Sequence, residues 1–309
     1  MENIIVSVIT PAYNRALTLP RTFESLVAQT CYDFEWIVVD DGSTDDTRVV
    51  AEKLIETAPF KSRYFYKTNG GVHTARNLGI REAIGKYAML LDSDDTLLPD
   101  TIAYGISAWG GVKNPEDYWC IVGRCVYENG EMVGKPFPEN INTLSRTKKL
   151  RLIRKDYSIE CCGFQRMDLL KELPWPEPPD VKYVAEGTVW SVLNSKYDQL
   201  YINHAFRVYF QDSGNQITRV SISSNAQMTG YLYSLHIINV IFKLDKSYYF
   251  GDKIRTLFAF TYDVIGMKKP RIEADVETKW MRMFILGSYH FIKCGMLVKK
   301  CLRKLKVIK

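Results

Sequence analysis

A chain of 309 residues, 46% hydrophobic and 13% aromatic, is too apolar to be disordered, and it can bury one large domain of roughly 200–250 residues with a smaller appendage. Its net charge of +6 is concentrated at one end: after Glu277 no acid occurs, while nine bases run from Lys279 to Lys309, so the body is mildly acidic and a general nucleic-acid reading is excluded. No apolar run reaches the ~18 residues of a membrane span, no leader is read at the N-terminus, and seven scattered cysteines without a C-x-x-C fit reduced thiols in the cytosol.

Along the chain, Ile4 to Ile9 is a short β-branched run that predicts a buried parallel strand ended by Pro11. Apolar residues at helical spacing from Leu19 to Gln29 predict a helix. Trp36 to Val39 predicts the second strand, and Asp40-Asp41-Gly42-Ser43 follows it. Ser43-Thr44-Asp45-Asp46 offers cap side chains to a helix through Ile55. Tyr64 to Tyr66 predicts a third strand, Thr74 to Ile84 a helix, and Tyr87 to Leu91 a fourth strand ending in Asp92-Ser93-Asp94-Asp95. Such alternation implies βαβ units and a parallel sheet. Residues 118–133 read as a hairpin turning at Glu128-Asn129-Gly130-Glu131, Pro174 to Pro179 as a rigid loop, and Glu186 to Ser195 as a helix. From about 225 onward the pattern is helical.

In an open α/β sheet, ligands bind beyond the carboxyl ends of the strands. Thr10-Pro11-Ala12-Tyr13-Asn14, Asp40-Asp41-Gly42-Ser43 and Asp92-Ser93-Asp94-Asp95 therefore converge on one edge if the sheet is parallel. Four or five carboxylates on one rim repel each other unless something positive sits among them, and a hard dication shared with phosphate oxygens is the ordinary solution. Asp45 and Asp46 read instead as helix-capping acids.

Four motifs, Val6 to Arg15, Val38 to Asp45, Ala75-Arg76-Asn77-Leu78-Gly79-Ile80 and Leu90 to Asp95, follow in the order and at the spacing of family-two glycosyltransferases, which the first 110 residues or so resemble. The resemblance implies an α/β chain of GT-A fold: a Rossmann-like, mostly parallel central sheet flanked by helices, with a helical C-terminal appendage. Residues 1–222 would form the transferase domain (1–110 the nucleotide half, 111–222 the acceptor and sugar half), and 223–309 a helical region with a basic amphipathic tail. It further implies an inverting, hexosyltransferase-type enzyme that moves a sugar from a UDP-sugar to an acceptor hydroxyl, using Mn2+ or Mg2+, in surface polysaccharide or lipid-linked oligosaccharide assembly. By the same resemblance Asp41 takes uracil N3–H, Thr10, Pro11, Ala12 and Tyr13 wall the base and ribose, Arg76 lies near the diphosphate, Asp92 near the ribose hydroxyls, and Asp94 on the metal.

The general base of this family comes from an acidic pair before a helix in the second half. The matching stretch is Val184 to Trp190, where Glu186 is the candidate base and Gly187 replaces the second acid, with Asp180 and Glu177 in reserve. Trp175 and Trp190 are candidates to stack on a sugar ring. Two other readings compete. Asp92-Ser93-Asp94-Asp95-Thr96 also matches the D-x-D-x-T of haloacid-dehalogenase-like phosphatases, and Gly187 leaves room for an inactive sugar-nucleotide-binding module. A dinucleotide oxidoreductase is excluded, because the first strand–helix turn lacks G-x-G-x-x-G. Trp280, Met283 and Phe284 open a tail of interleaved apolar and basic residues that suits either an amphipathic helix on an anionic membrane surface at its cytoplasmic face or a helix packed on the protein with a solvated basic edge.

Overall fold

The computed structural model describes residues 4–156, 160–179, 181–211 and 234–244, and beyond these 253–254, 257, 260–261, 276–277, 279–286 and 288–289. The chain divides into two compact units, Met1–Lys182 with Lys196–Val220, and Tyr183–Ser195 with Ser221–Lys309. The segment around Glu186 therefore groups with the C-terminal region, across the boundary near 222 expected from the sequence.

The first unit is built on one eight-stranded sheet. Its strands are β1 (Val6–Ala12), β2 (Phe34–Asp40), β3 (Lys61–Tyr66), β4 (Tyr87–Leu90), β5 (Thr96–Leu97), β6 (Tyr118–Tyr127), β7 (Cys161–Arg166) and β8 (Asp198–Tyr209), in the order β3-β2-β1-β4-β7-β6-β8-β5. The block β3-β2-β1-β4 is parallel, as the alternation of strand and helix requires. β7 runs antiparallel to both β4 and β6, and β8 returns parallel to β6. This brings the ends of β1, β2, β4, β6 and β8 and the start of β7 to one edge.

Every residue of β1 and of β2 is buried, which is why both read as continuous apolar runs. Trp36 packs on Phe23 of α1 (Leu19–Val27), with ring centroids 5.6 Å apart, and Phe34 packs on Phe60 at 4.6 Å. Full burial of such a side chain is worth ~1.5–3 kcal/mol. α1 makes the first crossover, and α2 (Thr47–Thr57) and α3 (Val72–Glu82) make the second and third. α3 lies so close to the sheet that a Cβ on Gly79 would stand 2.4 Å from Ile9 Cγ2. The glycine of the Ala75-to-Ile80 motif is thus a packing requirement.

Two sequence expectations need correction. Pro11 does not end β1, which continues to Ala12 paired with β2. The carbonyl of Ile9 faces β4, where it accepts the Leu91 N–H at 3.0 Å. By the two-residue alternation Pro11 faces the same side, beyond the last β4 pair at Ile9 and Leu90, so its missing N–H costs no ladder bond. Nor is 118–133 a hairpin. The chain does turn after β6, with Gly130 at φ +81°, but it forms only an isolated bridge between Val126 and Met132. β6 pairs instead with β7 and β8, two strands the sequence reading missed. α4 (Thr101–Gly110), α5 (Arg146–Asp156) and α6 (Met167–Glu172) fill the remaining connections. In the second unit, α7 (Gly187–Lys196) follows Glu186, and the described residues from 234 on are almost all helical, as expected.

Candidate active site

The carboxyl edge of the first unit is stitched together before any ligand is considered. Asn14, held at φ +54°, takes the Thr44 N–H on its Oδ1 at 2.8 Å, while its own N–H goes to Ser43 Oγ at 2.9 Å. The Arg15 N–H donates to Thr47 Oγ1, and the Ala16 N–H donates to Asp45 Oδ2 at 3.2 Å. Asp45 also accepts the Thr47 N–H at the start of α2, whereas Asp46, at the N-cap itself, makes no side-chain cap bond, contrary to the expectation for that residue. Burial works to raise the Asp45 carboxyl, but the bonds from Thr47 and Ala16 hold it below the usual range. Of the first-loop residues, Thr10, Pro11 and Ala12 are buried and Tyr13 is 45% exposed. The Thr10 hydroxyl accepts Trp36 Nε1–H at 3.0 Å and faces inward.

Asp40 and Asp41 do different work. Asp40 closes its own turn by accepting the Ser43 N–H at 2.7 Å and the Tyr64 hydroxyl at 2.8 Å. Asp41 is buried, and three donors reach it: Lys67 Nζ at 2.7 Å and the Gly70 N–H at 2.8 Å on Oδ1, and the Gly71 N–H at 2.7 Å on Oδ2. A carboxylate offers about four acceptor positions, which leaves Oδ2 able to take one more donor. Gly71 sits at φ +100°, and a Cβ there would lie 2.0 Å from the Lys182 carbonyl oxygen, so only glycine lets this loop present its amide to Asp41.

Asp92, Asp94 and Asp95 emerge from β4 among arginines. Arg76 of α3 reaches Asp92 Oδ1 at 3.4 Å, and Arg15 reaches Asp94 Oδ2 at 3.7 Å. Arg207, 6% exposed at the end of β8, contacts Asp92 at 3.5 Å, Asp95 at 3.2 Å and Glu160 at 3.0 Å. Arg21 grips the Asp94 carbonyl oxygen through Nε at 3.0 Å and stacks on Phe210 at 3.8 Å. Asp95 is the inward member, 2% exposed, accepting the Phe210 N–H at 3.0 Å. Burial raises its carboxyl to about 7, against the pull of Arg207.

Arg207 and Glu160 were missed by the sequence reading. The signal was an arginine within Phe206-Arg207-Val208-Tyr209, because a charge inside an apolar strand has to be paired. These guanidinium groups already answer the repulsion among the carboxylates. What favours a metal is the donor set. Among the described residues no group of three or more His, Cys, Asp or Glu side chains could hold an ion alone. Asp92, 44% exposed, and Asp94, 14% exposed, offer hard oxygens suited to a small dication that keeps waters and phosphate oxygens as its other ligands.

The proline-rich loop is fastened to α3 by one residue. Asn77 Nδ2 donates to the Trp175 carbonyl and to Glu177 Oε1, both at 2.8 Å, while Asn77 Oδ1 accepts the Trp175 N–H at 2.9 Å. Trp175 is 2% exposed, so its ring is core and offers no open face to a sugar. Trp190 is half-buried on α7. Glu186 belongs to the second unit, accepts the Tyr183 hydroxyl at 3.1 Å, and starts α7 through its carbonyl, which takes the Val189 and Trp190 N–H groups. Asp180 lies outside the described residues.

Next to Asp41, His73 of α3 is fully buried and neither ring nitrogen has a partner among the described residues. Burial pushes it below its ordinary 6.5, although Glu177 and Asp41 pull the other way. As pH falls through 6.5 the unfolded chain gains a proton that the native chain refuses, so stability is lost on the acid side and unaffected above. His73→Leu is expected to flatten that loss. Urea midpoints compared from about pH 7.5 to about pH 5 should diverge in favour of the variant, and parallel curves would refute the assignment.

The model of the family described as Glycosyl transferase family 2 matches residues 7–173. Over 246 residues the chain is 29% identical to a GalNAc(5)-diNAcBac-PP-undecaprenol beta-1,3-glucosyltransferase of Campylobacter jejuni, covering 78% of this chain and 76% of that one. Over 97 residues it is 47% identical to an uncharacterized glycosyltransferase of Rickettsia felis, covering 31% of this chain but spanning only 16% of the length of that relative. The solved structure of S. aureus TarS in complex with UDP-GlcNAc matches with a TM-score of 0.63 at 18% identity, over 92% of this chain and 88% of that one, a likeness of fold.

Proposed function

Since the chain belongs to glycosyl transferase family 2, we propose that it moves a sugar from a UDP-sugar to a hydroxyl of a saccharide or lipid-linked saccharide, with inversion, working in the cytoplasm. The observation that carries this reading is the gathering of Asp41, Arg76, Asp92 and Asp94 at one sheet edge. Asp41 Oδ2 accepts N3–H of uracil with its remaining acceptor position, beside the exposed Tyr13 and the backbone of the buried Thr10, Pro11 and Ala12. Asp92 faces the ribose hydroxyls, and Arg76 adds positive charge near the diphosphate. Asp94, with Asp92 beside it, would hold Mn2+ or Mg2+, which when bound neutralises charge on the leaving phosphate as a Lewis acid. Glu186 takes the proton of the attacking hydroxyl.

The lipid-linked acceptor is supported by the name of the Campylobacter relative, which acts on an undecaprenol diphosphate. A phosphatase built on Asp92 finds no support, because that nucleophile would open its domain, whereas here it ends the fourth strand. The inactive-module reading rests on Gly187 alone and yields to one assay. A screen of UDP-sugars followed by product mass should give transfer or slow donor hydrolysis, and an inactive module gives neither.

Calorimetry in manganese should give a UDP affinity at least ~10-fold above that for GDP, a difference of about 1.4 kcal/mol. The buried Asp41 carboxylate, with one acceptor position left on Oδ2, is matched to a single ring N–H. Tighter binding of GDP would overturn the uridine assignment while leaving sugar transfer intact.

A further inference from the structure

The helix described over residues 279–286 in the second unit turns an apolar face outward. Met281, 6% exposed, and Ile285, fully buried, mark its inner side. Trp280, Met283 and Leu286 are 46%, 65% and 41% exposed. At 3.6 residues per turn these three fall within an arc of about 120° centred opposite Met281 and Ile285. A solvated helix face carries charge, whereas three large apolar side chains in one row mark a surface that meets something apolar. Lys279 and Arg282 lie on the same turns, and the sequence adds seven more lysines and arginines by Lys309 with no acid after Glu277.

An apolar row with tryptophan, set in a strongly basic and acid-free segment, fits the boundary between headgroups and acyl chains of an anionic bilayer. We propose that Trp280, Met283 and Leu286 insert into an anionic membrane surface and that Lys279 and Arg282 beside them hold the headgroups. Among the described residues no helix is long and apolar enough to cross a membrane, so this contact lies on the surface and does not span it. The proposal draws on no residue of the candidate active site and stands apart from the transferase reading. If both hold, the enzyme is brought to a lipid-linked acceptor.

Point substitutions test it better than removal of the tail, since truncation after Glu277 would also take Met281 and Ile285 out of the buried side of the unit. Full-length protein is sedimented with vesicles of phosphatidylcholine containing phosphatidylglycerol, and with pure phosphatidylcholine. Wild type should bind the anionic vesicles and not the neutral ones. Met283→Glu combined with Leu286→Glu should lower that binding at least ~10-fold, with UDP affinity and unfolding temperature unchanged. Quenching of tryptophan emission by brominated lipid should fall in Trp280→Phe. Equal vesicle binding by the double variant, or equal binding to neutral vesicles, would overturn the proposal. A dimeric wild type turned monomeric by the substitutions would overturn it too, by making the partner a second copy.

Discussion

Asp94→Ala should lower metal-dependent UDP affinity at least ~100-fold, about 2.7 kcal/mol, with little change in unfolding temperature. The two halves of this expectation come from different atoms of one residue. The loop that carries Asp94 is held by its backbone, because Arg21 grips the carbonyl oxygen, and by Asp95, whose buried carboxylate bonds Phe210 and meets Arg207. The Asp94 carboxylate itself meets the Arg15 guanidinium at 3.7 Å, while the turn is held by the backbone and by Asp95. Truncation therefore removes a hard ligand without unmaking the turn. Asp92→Ala should cost less, since Arg76 and Arg207 remain beside the vacated position and keep it attractive to a polyanion. Titration of UDP with manganese and then with chelator separates the cases. Wild-type affinity that ignores the chelator would remove the metal from this reading, and a normal Asp94→Ala would move it to another residue.

The parts of this site legible in the sequence are those whose chemistry is local. β1 and β2 announce themselves as fully buried apolar runs and β4 as one buried but for Leu90, and each leads into the residues that make the site, so position along the chain predicts position on the sheet edge. What escaped depends on long-range pairing. β8 carries Asn203, His204 and Arg207 within its span, bonded to Phe137, to Asp100, and to Asp92, Asp95 and Glu160 in turn, and the buried Arg207 is acceptable there only because of those partners. Periodicity sees three polar interruptions and no strand. Pro11 misled for the converse reason, since whether its missing N–H matters depends on where β4 stops pairing. The positive charge that the crowded carboxylates require comes from arginines at sequence positions as far apart as 15 and 207.

Glu186→Gln should reduce sugar transfer by roughly 10²–10⁴-fold, the usual contribution of a positioned proton acceptor. Glutamine keeps the size of the side chain and an oxygen for the Tyr183 hydroxyl, so the start of α7 is preserved and only basicity is lost. Donor affinity should stay unchanged, because the base serves the acceptor and not the diphosphate. The competing view is that Glu186 is an acid at the positive end of a helix, in which case the substitution costs ~0.3–1 kcal/mol of stability and leaves turnover alone. The pH profile separates the two: a catalytic base makes the wild-type rate rise with pH through a single ionisation that the variant lacks. If Glu186→Gln turns over normally while Asp180→Asn fails, the base belongs to the proline-rich loop, where Asn77 already fixes Trp175 and Glu177. If both variants turn over normally, the resemblance that nominated Glu186 does not extend past the nucleotide-binding half, and the base is neither of these acids.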